Sequence, residues 1–229
     1  MPSSGQGRPP AGVGCAGLVK EYATATGTVL ALKGIDAEFQ PGQVTAVVGP
    51  SGSGKSSLLR ILACVDRPTS GSVRIGGAEV SAMGARGRRR VRRHQVGYVF
   101  QQPADNLLPY LTVRGHLELA AALRGRRRPG EAERLLQALA LDHRGDHLPA
   151  QLSGGEQQRL AFAAAVVGGP ALVVADEPTA ELDVESGARL MEAVRALRQE
   201  GTSVVVSSHD PVVVEAADEL VRLHDGEVA

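Results

Sequence analysis

Val44-Thr45-Ala46-Val47-Val48-Gly49-Pro50-Ser51-Gly52-Ser53-Gly54-Lys55-Ser56 decides the fold. An apolar, β-branched run leads straight into a glycine-rich loop, and residues 55–64 then carry apolar side chains at helical spacing. The order is strand, loop, helix. Glycines at 49, 52 and 54 permit backbone conformations and close approaches that a side chain forbids, so successive N–H groups converge on phosphate oxygens. Lys55 adds positive charge at the same place, Ser56 is placed to ligate Mg²⁺, and the following helix points its positive end at the anion. With Ser57 beside them, these residues form a nucleoside triphosphate site.

Working outward, Leu152-Ser153-Gly154-Gly155-Glu156-Gln157-Gln158-Arg159 is a second glycine-bearing stretch. Ser-Gly-Gly before a polar and then apolar run is a good helix start with free N–H groups. Shortly after it, Ala171-Leu172-Val173-Val174-Ala175-Asp176 reads as a buried strand ending in a carboxylate, where a second Mg²⁺-associated group is needed beside the loop. Glu177 follows at once, within reach of the γ-phosphate side, and is the candidate general base that orients or deprotonates the attacking water. The runs at 96–100 and 203–207 are also apolar enough for strands buried on both faces. A mostly parallel sheet between helices follows.

Residues 15–22, 35–39 and 72–75 alternate more and are separated by turn residues, which predicts a smaller antiparallel sheet. Between 109 and 141, leucines at helical spacing are broken by Arg126-Arg127-Arg128-Pro129-Gly130, which predicts a helical insert. Residues 219–223 with the Asp225-Gly226 turn predict a terminal hairpin. The expected organisation is a disordered tail over 1–11 and one domain over 12–229, with the helical subdomain at approximately 103–168. The expected class is α/β.

Composition narrows the partners. Lys+Arg and Asp+Glu are both 25 in 229 residues, so no global field draws the chain to nucleic acid or to an anionic membrane. The longest strongly apolar stretches fall well short of the roughly 20 residues that cross a bilayer. Cys15 and Cys64 have neither metal-ligand spacing nor the density of a disulfide scaffold, and are expected to be buried thiols in a reducing cytoplasm. Lysine occurs only at 20, 33 and 55. It is kept at the loop because a compact ammonium enters a ring of N–H groups that a planar guanidinium is too broad to enter.

The loop, Gln101, Leu152 to Glu156, Asp176-Glu177, Ala180-Glu181-Leu182-Asp183 and His209 stand in the order and spacing of the ATP-binding cassette (ABC) ATPases, which the chain resembles from about residue 12 onward. Ala31-Leu32-Lys33-Gly34-Ile35, Arg67-Pro68-Thr69-Ser70-Gly71 and Asn106-Leu107-Leu108-Pro109 resemble the branch serving lipoprotein release, macrolide-type efflux and cell division. The resemblance implies a P-loop NTPase core and ATP with Mg²⁺ clamped between two cassettes. Ser153, Gly154, Gly155 and Glu156 would meet the γ-phosphate held by the partner's loop. Gln101 would touch Mg²⁺ and the attacking water, with Gln102 competing for that assignment. His209 would bond the γ-phosphate and position Glu177, Tyr22 would stack on adenine, and Asp183 would cross the dimer interface. The implied partners are a second ATPase subunit, identical or closely related, and membrane-spanning permease subunits, with the chain cytoplasmic and peripheral on the inner face of the membrane. No nucleic acid partner is expected. An ABC ATPase driving a signalling or cell-wall-regulating complex carries the same motifs, and a soluble ABC ATPase acting on ribosomes or DNA is the third reading.

Three departures stand out against the resemblance, the first being that the stretch 102–105 is a little longer than expected before Asn106. Ala164 replaces an arginine on the helix after Ser153, which is expected to weaken contact between the insert and the core. Gly115-His116 replaces Glu-Asn after Thr112-Val113, in the groove expected to receive the membrane subunit. The arginine runs at 86–93 and 124–128 lack interleaved aromatic residues and read as solvated surface near the membrane partner. Asp142-His143 and Asp146-His147 read as a solvated loop.

Overall fold

The computed structural model of the chain describes residues 12–25, 27–196 and 201–229. The expected tail, 1–11, lies outside them. Ten strands follow in chain order: β1 (Val13–Thr24), β2 (Gly27–Phe39), β3 (Val44–Val48), β4 (Ser70–Ile75), β5 (Ala78–Glu79), β6 (Val96–Val99), β7 (Leu172–Asp176), β8 (Ser203–Ser207), β9 (Glu219–His224) and β10 (Glu227–Val228). The helices are α1 (Lys55–Leu62), α2 (Ala85–Gln95), α3 (Val113–Arg124), α4 (Glu131–Ala138), α5 (Gly154–Val166), α6 (Val184–Ala196) and α7 (Pro211–Ala216).

Two sheets result. The smaller has the order β2-β1-β4-β5 and is antiparallel throughout. The larger has the order β10-β9-β3-β8-β7-β6, in which β9, β3, β8, β7 and β6 are parallel and only β10 returns antiparallel.

The continuous apolar character of the central strands has a direct cause. In β7, Leu172 and Val174 face one core and Val173 and Ala175 the other, and in β8 Val205 opposes Val204 and Val206 in the same way. Covered on both faces, these strands keep polar side chains only at their ends. The first core lies between the two sheets and encloses α1, whose Leu58, Leu59, Ile61 and Leu62 are all buried. The second lies beneath α5, α6 and α7. A third, around Leu117, Leu136, Leu141 and Leu160, holds the helical insert together and joins it to α5.

Two elements differ from expectation. β2 begins at Gly27, well before residue 35, because its first half lies at a sheet edge with its side chains mostly exposed, which mutes the alternation. The run 86–93 is a helix that buries only Val91. With a single apolar contact it carries no periodicity to detect, although arginine itself favours helix.

Candidate functional site

β3 is a central strand of the parallel sheet, and the glycine loop leaves its carboxyl end between β9 and β8. Gly49 has φ 157°, and a Cβ there would strike the carbonyl oxygen of Leu223. Gly54 caps α1 at φ 101°, where a Cβ would lie 2.5 Å from the Ala31 carbonyl oxygen. Both positions exclude any side chain. The loop is tied from behind: Gly226 N–H donates to the Ser53 carbonyl at 3.1 Å, and Lys33 N–H to the Gly226 carbonyl at 2.8 Å. The terminal hairpin therefore braces the phosphate loop. Lys55 Nζ reaches across to donate to the carbonyls of Gly49 (2.8 Å) and Pro50 (3.1 Å).

The acidic end of the site comes from β7 and β8. Their register sets Asp176 beside Ser207. Ser207 Oγ donates to Asp176 Oδ1 at 2.5 Å, and Ser56 Oγ approaches the same oxygen at 3.3 Å. Glu177 N–H donates to the Ser207 carbonyl (3.1 Å) and to its hydroxyl (3.0 Å). Glu177 has φ 46°, a left-handed conformation that is uncommon for a residue with a side chain. Its carboxylate is largely shielded, while the His209 ring whose Nδ1 lies 3.1 Å from Oε2 is 76% exposed.

These groups open into one cavity of about 650 Å³, lined by Lys55, Ser56, Gln101, Glu177, Ala180 and His209 together with the loop from Gly49 to Ser57, apart from the buried Ser53. A neighbouring cavity of about 420 Å³ is lined by Asp176 and by both Gln101 and Gln102. Ser56 and Gln101 line both cavities, and Gln102 only the second. Among the described residues no cluster of three His, Cys, Asp or Glu could hold a metal unaided. The hard oxygens of Ser56 and Asp176 fit Mg²⁺, an ion that takes its remaining ligands from water and substrate phosphates.

The Ser153 stretch lies elsewhere in the chain. Ser153 is the exposed cap of α5: its Oγ accepts from Glu156 N–H at 3.3 Å, and its own N–H donates to Glu156 Oε2 at 2.8 Å. Glu156 Oε1 accepts from Arg144 Nε at 2.9 Å, so both oxygens of that carboxylate are engaged within the chain. Burial opposes the charge on Glu156, but the Ser153 N–H and the Arg144 guanidinium outweigh it and hold the carboxyl below its usual range. The side chain at 156 thus fixes the helix start. Asp183 caps α6 by accepting from Ser186 N–H at 2.8 Å and Ser186 Oγ at 3.0 Å, and these bonds keep its carboxyl low. Ser186 packs so closely on Gly155 that a Cβ there would come within 3.3 Å of it. Ser153, Gly155 and Asp183 form one face, and none of these three lines the phosphate cavity, although Ala180, which opens the Asp183 turn, does.

Tyr22 pairs with Val29 across β1 and β2, two residues from Ala31, which does line that cavity. Its hydroxyl donates to Asp66 Oδ2 at 3.1 Å, and Lys20 Nζ sits 4.6 Å from the ring centre. One face of the ring is therefore occupied by an ammonium.

One contributor, Ser207, is absent from the sequence reading, and two others, Arg124 and His116, have roles that it did not give them. Ser207 carries the hydroxyl between Asp176 and Glu177, and a serine closing an apolar strand next to an acidic strand end was its one visible signal. The expected solvated surface at 124–128 does not include Arg124: on α3 it is buried, its guanidinium donating to the carbonyls of Ala164, Ala165, Val167 and Val96 at 2.8–3.4 Å. It ties the insert to α5 and β6, which offsets the expected loss at Ala164. His116 is buried, with Nε2 accepting from Leu108 N–H at 2.8 Å and Nδ1 at 2.7 Å from the Thr112 carbonyl, so it fixes the segment before α3. Cys15 and Cys64 are free and buried, and burial pushes both thiols up to about 11.

The chain is similar to known proteins over most of its length. Residues 32–180 match the family described as ABC transporter. The chain is 42% identical over 217 residues to the macrolide export ATP-binding/permease protein MacB of Rhodopseudomonas palustris, covering 93% of this chain and 33% of that protein. It is 42% identical over 203 residues to MacB of Hahella chejuensis, covering 87% and 31%. The chain thus spans about a third of the length of these relatives. Among solved structures, the dimeric post-hydrolysis state of the ATP-binding cassette MJ0796 bound to ADP and Pi superposes with a TM-score of 0.82 at 35% identity, covering 94% of this chain and 96% of that one. The cbiO1 protein of Clostridium perfringens, part of the ABC transporter complex cbiONQ, gives 0.83 at 26% identity, covering 96% and 87%. With its phosphate loop on β3, its acidic pair at the end of β7 and Ser153 capping α5, the chain belongs to the ABC transporter family and has the P-loop fold of its ATP-binding cassettes.

Proposed function

We propose that the chain binds ATP with Mg²⁺ and hydrolyses it, and that two copies, or one copy and a near relative, close on two nucleotides to drive a separate membrane permease from the inner face of the membrane. One observation carries the reading: Lys55, Gln101, Glu177 and His209 converge on a single cavity, while Ser153 and Gly155 of the same chain are not among the residues that line it. A second chain is what brings such residues over the phosphates. The dimeric cassette structures to which the chain is similar support this arrangement.

In this reading the loop N–H groups and Lys55 hold the β- and γ-phosphates, and the positive end of α1 adds to the field. Ser56, Asp176 and Gln101 would hold Mg²⁺, which neutralises charge on the phosphate oxygens when bound. Glu177 accepts a proton from water as the water oxygen bonds to the γ-phosphorus and the bond to the bridging oxygen breaks. His209 orients Glu177 through the 3.1 Å contact and bonds the γ-phosphate. Tyr22 offers adenine the ring face that Lys20 leaves free, and Asp183 couples the two sites across the interface. Loss of the γ-phosphate removes the ligand shared by loop and partner, and the halves part.

The test is phosphate release against protein concentration, together with recovery of the chain from detergent extracts. The reading expects turnover per chain to rise with concentration and a polytopic membrane protein to be recovered with it. Turnover independent of concentration, or recovery with ribosomes or DNA alone, would contradict it.

A further inference from the structure

Helix α2 holds Arg86, Arg88, Arg89, Arg90, Arg92 and Arg93 and no acidic residue, in a chain whose charges balance as a whole. Arg86, Arg89 and Arg93 stand at i, i+3 and i+7, on the side of the helix opposite its one buried residue, Val91. Arg88 and Arg92 turn inward, donating to the carbonyls of Met83 and Cys64. No side-chain hydrogen bond or ion pair joins Arg86, Arg89 or Arg90 to any described residue. Like charges three and four residues apart destabilise a helix, so this one repels itself and gains from an outside anion.

Helix α3 supplies the rest of the surface. Arg93 Nε donates to the Leu123 carbonyl at 2.5 Å and His94 Nδ1 lies 2.8 Å from the Arg124 carbonyl, which sets the end of α2 against the end of α3. There Leu119 and Leu123, one turn apart, are 37% and 48% exposed. An arginine stripe beside an exposed leucine pair is a surface with two chemistries, one for phosphate and one for hydrocarbon. Guanidinium groups grip phosphate by paired donors, and leucines enter the boundary between headgroups and acyl chains. Single-stranded nucleic acid would call for aromatic stacking residues, and α2 has none.

We infer that the α2–α3 face is a docking surface for anionic phospholipid, holding the chain against the bilayer by contacts of its own in addition to those with a permease. Because it uses no residue of the phosphate cavity, it stands or falls independently of ATP hydrolysis.

Co-sedimentation of the full chain, without nucleotide, with vesicles of phosphatidylcholine alone or with about a third phosphatidylglycerol tests it. Retention is expected only on the anionic vesicles, and it falls with added salt. The variant R86Q/R89Q/R90Q, which breaks no intrachain bond, is expected to lose on the order of a hundredfold in partitioning while still binding ATP. The variant Leu119→Ser with Leu123→Ser loses the part of the binding that resists salt. Equal retention on both vesicle types, an arginine variant that partitions like the parent, or capture by single-stranded RNA with no vesicle binding overturns the inference.

Discussion

Ser207 and Asp176 stand side by side on β8 and β7, and the Ser207 hydroxyl donates to Asp176 Oδ1 at 2.5 Å while accepting the N–H of Glu177. One buried side chain thus sets the positions of both acidic residues. Ser207→Ala keeps the backbone bond from Glu177 to the 207 carbonyl and removes only the hydroxyl. The expected result is a fall in kcat of up to about tenfold, on the order of 1 kcal/mol, with ATP affinity retained. Parallel measurement of phosphate release and nucleotide binding checks it, and an unchanged kcat would show that the hydroxyl has no part in turnover.

Glu177→Gln keeps the shape of the side chain but removes its ability to take a proton. Turnover is expected to drop at least about a hundredfold while ATP still binds. Single-turnover hydrolysis at close to the parent rate would remove Glu177 as the base.

Arg124→Met deletes the donors to four backbone carbonyls inside the junction of α3, α5 and β6. About 2–4 kcal/mol of stability is expected to be lost, since buried acceptors left unpaired cost about 1–3 kcal/mol each and some will find water. Arg124→Lys recovers only part of it, because one ammonium cannot reproduce the planar fork. Denaturant midpoints report the loss, and a lysine variant as stable as the parent would contradict the account.

How much of this was legible in the sequence depends on how each residue does its work. The loop and Asp176-Glu177 were readable because their chemistry is local: a strand, a turn and a few residues in fixed order. Ser207 and Arg124 act through partners 28 to 43 residues away, in pairings that only the assembled sheet and insert create. Helix α2 hid for a different reason, since a helix that buries one valine leaves no apolar rhythm.

Glu156 gives a pH signature at the start of α5. Against the opposing effect of burial, the Ser153 N–H and Arg144 hold its folded pKa below the ordinary glutamate value, so its stabilising effect is complete above that ordinary value and is lost as the pH falls through the lowered folded one. Glutamine also serves in a capping box, so Glu156→Gln is expected to cost little at pH 7 beyond the Arg144 contact and to flatten the loss of stability on acidification. Equal acid slopes for variant and parent would contradict this.

The central claim is that each nucleotide is held by two chains at once, and sedimentation velocity of Glu177→Gln with saturating ATP and Mg²⁺ tests it most directly. The account predicts a species of twice the chain mass carrying two ATP, abolished when Ser153 is replaced by arginine in the same background. A single-chain mass with one ATP bound per chain would contradict it.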